Sequence, residues 1–107
     1  EGEEPKYYPW KPGSLITPPN MWFHQHFNTG TTPARYLAFK YEGVAIRNAQ
    51  GVPKAWISRR IGGHQIDYAD ESQLVRTKFA DALSEKGLES KMDESYEAEK
   101  ATLPPLD

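Results

Sequence analysis

His24 and His26 are the side chains best suited to chemistry in this sequence, and the residues around them suggest what that chemistry is. They lie two positions apart in Met21-Trp22-Phe23-His24-Gln25-His26-Phe27-Asn28, where period-two alternation sends Trp22, His24, His26 and Asn28 to one side and Phe23, Gln25 and Phe27 to the other. A neutral imidazole on a stiff extended segment is a good ligand for Fe, Mn, Ni or Zn. His24 is the leading ligand candidate, and His26 is better placed as a pocket neighbour. Trp22, His26, Asn28, Arg35 and Tyr36 make up the candidate substrate pocket, in which Arg35 could clamp a carboxylate through both arms of its guanidinium. Each also has an ordinary role: a histidine hydrogen-bonded in a core, aromatic packing, or a solvated surface charge.

Positioning these groups requires strands. Residues 6–41 are rich in aromatic and β-forming types and are punctuated by Pro9, Pro12-Gly13, Pro18-Pro19, Gly30 and Pro33. The segment 21–28, the turn 29–33 and the return strand 34–41 read as an antiparallel hairpin. Val44-Ala45-Ile46 and Ala55-Trp56-Ile57 are further short strand candidates. A helix is predicted from Asp70 to Lys86, with Asp70 as N-cap, Gln73 as its capping-box partner, Val75, Phe79 and Leu83 as the apolar stripe, and Gly87 as the stop. Residues 88–107, with four acidic side chains between Asp93 and Glu99, are expected to form a loose or draped tail.

The 107 residues are 37% hydrophobic, 26% charged and 12% aromatic, an ordinary soluble composition that allows one domain or less. Thirteen Lys and Arg against fifteen Asp and Glu leave a formal charge of −2, too weak to point to nucleic acid. No apolar run approaches the roughly 20 residues that span a bilayer, so no membrane partner is expected and the cytoplasm is the default compartment. Cysteine is absent, which removes disulfides, thiolate metal sites and cysteine nucleophiles.

The spacing of Gly13, Pro19, Met21, His24 and Asn28 resembles the second motif of the cupin superfamily, with Met21 where that motif has the glycine of its turn. Gly62-Gly63-His64-Gln65-Ile66-Asp67-Tyr68 is similar to a later segment of some bacterial cupins, so the resemblance runs over residues 8–92. It implies an all-β fold: residues 1–69 as the C-terminal half of a double-stranded β-helix, or jelly roll, followed by one amphipathic helix at 70–87 and the tail at 88–107. It also implies a divalent transition metal on His24, with Fe(II) first and Mn, Ni or Zn as alternatives. The first motif, His-x-His and a later Glu, is missing, since Gly30 and Thr31 stand where the glutamate would follow His24-x-His26. The rest of the barrel is therefore expected from an N-terminal half upstream of Glu1 or from a second subunit, making the protein a homo-oligomer that takes a small-molecule ligand. The implied activity is that of a mononuclear-metal dioxygenase, an oxidoreductase acting on a small organic or aromatic acid. The alternative is a non-enzymatic small-ligand-binding or assembly module. An upstream His-x-His with its glutamate would discriminate the two.

Overall fold

The computed structural model describes residues 4–40 and 45–105. Among them there is no β-strand; the elements are three single turns of 3-10 helix and two α-helices. The all-β jelly-roll half-barrel expected from the cupin resemblance is thus overturned. The physical reason lies in the ladder. A strand needs a neighbouring segment with which to exchange backbone hydrogen bonds, and the five prolines from Pro9 to Pro33 remove donors from the aromatic segment. Residues 22–28 and 34–40 run extended but exchange no backbone hydrogen bonds. The two isolated bridges that do form, Arg47 with Pro53 and Ser58 with Gln65, lie elsewhere. Tyr41 and Val44, two residues of the expected strands, lie outside the described residues.

Residues 46–70 fold as tightly hydrogen-bonded turns. Asn48 organises the first, its side chain accepting from the backbone N–H groups of Gln50 and Val52 at 3.0 and 2.9 Å. The expected strand at 55–57 is instead part of a 3-10 turn, Lys54–Trp56, whose first N–H donates back to Ile46. A second turn, Arg59–Ile61, is capped by Ser58, which accepts from Arg60 N–H and donates to the buried carboxylate of Asp67. Gly62 ends it at φ +85°. Gly63 then passes so close to Ile57 that a Cβ would lie 1.8 Å from the Ile57 carbonyl oxygen. That approach lets His64 and Gln65 donate to Lys54 and Ile57, closing the unit.

The first α-helix, α1, spans Gln73–Ser84 with Ser72 at the N-cap. It begins after Asp70 because Asp70 closes a third 3-10 turn, Tyr68–Asp70, and its carboxylate is held by both guanidinium arms of Arg60 at 2.6 and 2.7 Å. Gly87 adopts φ +67°, and the bonds Gly87 N–H to Ser84 and Leu88 N–H to Leu83 form a Schellman stop. Leu83 is the buried hydrophobic residue of the described chain, and Phe79 stacks on Phe27 at 4.9 Å. The expected tail contains a second helix, α2, at Asp93–Lys100. Asp93 and Glu94 at its start and Lys100 at its end suit the helix dipole. Its docking explains its existence, since eight residues are too few for an isolated helix. Tyr96 packs against Tyr68 at 5.9 Å and under the Arg76 guanidinium at 4.0 Å, while Glu99 accepts from Ala69 N–H at 2.9 Å.

With so little interior, the chain is expanded. Its radius of gyration is 15.7 Å, against about 13 Å for a compact chain of this length. It exposes 9352 Å², where a compact protein of its mass exposes about 6,100 Å². Among the described residues no helix is long and apolar enough to cross a membrane.

Candidate functional site

The aromatic segment lies across the helical body as an arm, and its alternation decides which side chains meet. Phe27 turns to Phe79 of α1, and Phe23 lies beneath the Arg59 guanidinium at 5.9 Å. The opposite set forms a ring cluster. His24 and His26 meet edge to face at 5.6 Å, His26 lies against Tyr36 at 4.5 Å, and Trp10 abuts Tyr36 edge-on at 6.4 Å. Lys78 approaches Glu4 at 3.8 Å, and the Lys86 ammonium donates to the Thr29 carbonyl at 3.0 Å, so the arm is tied to α1 and to the turn that follows it.

The hydrogen bonding around His24 fixes its chemistry. Its Nδ1 lies 3.3 Å from the backbone carbonyl oxygen of Trp22. A carbonyl can only accept, so the contact selects the neutral tautomer in which Nδ1–H donates and the lone pair is left on Nε2. Protein metal sites commonly hold their histidines in this way, the nitrogen away from the metal anchored to a carbonyl. The ring separation is compatible with a shared ion, because two imidazoles on one tetrahedral metal hold their centroids on the order of 5 Å apart. The donor set stops short of a closed site, however. Among the described residues no group of three His, Asp or Glu side chains converges.

The remaining expected pocket residues divide. Tyr36 and His26 belong to the cluster, and Trp22 borders it while carrying the Lys6 ammonium over its ring at 5.0 Å. Asn28 does not face a pocket. Its side chain closes the turn, donating to Thr32 at 2.8 Å and accepting from Gly30 N–H at 2.9 Å. Arg35 is exposed and has no hydrogen bond or ion pair among the described residues. Met21 adopts φ +65°, alone among non-glycine residues described. That left-handed backbone makes residue 21 part of the turn that precedes the extended run.

Trp10 was not singled out by the sequence. Its signal was the aromatic run Tyr7-Tyr8-Pro9-Trp10, which says that rings are present but not which one reaches Tyr36. Arg60 was also missed, although it ties three segments together by gripping Asp70 and donating to Pro104 at 2.8 Å. The hydrogen bond between Arg60 and Asp70, with the nearby charges, raises the Arg60 pKa and holds Asp70 below the ordinary carboxylate value. Burial pushes the Tyr96 phenol up, and Glu71 adds to the effect. Comparison with family models, curated proteins and solved structures returned no match.

Proposed function

We propose that this chain is the metal- and small-ligand-binding part of a larger assembly, with His24 as principal ligand, His26 beside it, and the remaining ligands supplied by a partner chain. The observation that carries this reading is the His24 Nδ1 placed 3.3 Å from the Trp22 carbonyl oxygen, a contact that suits the Nδ1–H tautomer with Nε2 open for coordination, next to a second imidazole. A divalent transition metal held there, Fe(II) first among Mn, Ni and Zn, would supply an electrophilic centre with open positions for oxygen and a small organic acid. The chain's own contribution is positional. Trp22 fixes the His24 tautomer, Tyr36 braces the His26 ring, and Trp10 braces Tyr36.

The excess surface supports the assembly part of this reading. It amounts to about 3,000 Å², within the range of permanent protein–protein interfaces. A non-enzymatic assembly role is the second reading, favoured by the donor set that ends at two histidines among the described residues. Zinc and Fe(II) titration of the purified assembly, with elemental analysis, separates them. His24→Ala is expected to abolish stoichiometric metal and His26→Ala to weaken it. Acid should displace the metal in the wild type, because only neutral imidazole ligates. Wild type without metal after growth in metal-replete medium would leave the assembly role alone. Loss on His26→Ala with retention on His24→Ala would reverse the assignment.

A further inference from the structure

Residues 34–40, Ala-Arg-Tyr-Leu-Ala-Phe-Lys, form no hydrogen bond from either backbone group among the described residues. They are extended, follow Pro33, and alternate cleanly. Tyr36 turns to His26, whereas Leu37 and Phe39 remain 78% and 86% exposed. An extended segment with free N–H and C=O groups and an apolar stripe on one side is a template for strand addition.

We infer that this segment pairs antiparallel with the same segment of a second copy, about a two-fold axis at Leu37. The sequence is self-complementary in that register. Leu37 faces its own counterpart, Arg35 lies across from Phe39, Tyr36 from Ala38, and Ala34 from Lys40. No cation opposes a cation, each Arg35 gains an aromatic ring face, and each Tyr36 meets a small side chain. A slip of one residue would mix the apolar side with the ring-cluster side. A slip of two towards the turn would draw Pro33, which has no N–H, into the ladder. The pairing is isologous and closed, so it yields a dimer and not a fibre. It also places both copies' Tyr36, and with them both histidine clusters, on one side of the shared ribbon. This inference names the partner in the assembly proposed above, but it rests on backbone and exposure and not on the metal.

The chain has no cysteine, which permits a direct test by disulfide trapping in the presence of a chelator. In the inferred register the two Leu37 Cα atoms fall within the 4.4–6.8 Å that a disulfide spans, whereas the two Phe39 positions lie far apart. Leu37→Cys should form a covalent dimer at least about tenfold faster than Phe39→Cys under mild oxidation, and a mixture of Arg35→Cys with Phe39→Cys should cross-link between chains. Wild type should sediment as a dimer and Leu37→Asp as a monomer with unchanged helical circular dichroism, since Leu37 is largely exposed and lies outside both helices. Trapping at Phe39→Cys in preference to Leu37→Cys, or a wild type that sediments as a monomer or only with an unrelated chain, overturns the inference. Because metal is absent throughout, failure here is distinct from failure of metal binding.

Discussion

Gly63 is the position at which a side chain has least room, since an added Cβ would strike the Ile57 carbonyl, a backbone atom that cannot rotate away. Gly63→Ala should therefore cost about 1–3 kcal/mol, measured as a lowered urea midpoint, and should expose His64 N–H and Gln65 N–H to exchange. Asp70 gives a second test at this scale. Its carboxyl is held below the ordinary value by the Arg60 hydrogen bond, so the folded state binds its proton less readily than the unfolded chain does. The stability from this pair is present above the unfolded carboxylate value of about 3.9 and is lost as pH falls through the lower folded value. Arg60→Gln should flatten that part of the acid unfolding profile, and a profile unchanged by the substitution would show that the pair contributes nothing. The grip of Arg60 on Asp70 could not be read from the sequence. Asp70 three residues before Gln73 has the form of a capping box, and only the fold reveals that its carboxylate is already taken.

The helices illustrate what local pattern does and does not encode. The stripe of Val75, Phe79 and Leu83 and the stop at Gly87 are local features, and α1 with its Schellman ending follows from them. The extended arm obeys a local rule as well, since Phe23 and Phe27 turn one way and His24 and His26 the other. The sheet was not encoded locally, because a ladder depends on what lies alongside, and here residues 34–40 do not pair with 21–28. Helix α2 was hidden for the opposite reason: its acidic composition reads as tail, while its existence depends on Tyr96 docking at Tyr68 and Arg76. Tyr96→Ala should accordingly melt α2 while sparing α1, seen as lost amide protection confined to residues 93–100. Uniform protection across both helices in the variant would mean that α2 is held by other contacts. Gly87→Ala should lower stability by about 1 kcal/mol, because the Schellman ending requires the left-handed backbone there.

At the scale of the whole molecule, a chain with Leu83 as the buried hydrophobic residue among those described, and with Tyr7, Tyr8, Leu15, Leu37 and Phe39 exposed, has a surface arranged for company. Exposed apolar side chains in this number are a mark of interaction surfaces. The helical body holds the arm by Phe27, Thr29 and Phe23, and the arm presents the histidine cluster beside the uncovered residues 34–40. Sites and partner surface therefore adjoin, as expected if the partner closes the ligand set. The central claim is that His24 is a preset metal ligand, and ring nitrogen NMR of the intact protein with and without zinc tests it most directly. The chain has three histidines, and His64, in the turn unit and outside the ring cluster, serves as an internal reference. In alkaline buffer His24 should be the Nδ1–H tautomer, and zinc should shift its Nε2 resonance first, then His26, leaving His64 unmoved. An Nε2–H tautomer at His24, together with zinc shifts at His64 equal to those at His24, would contradict it.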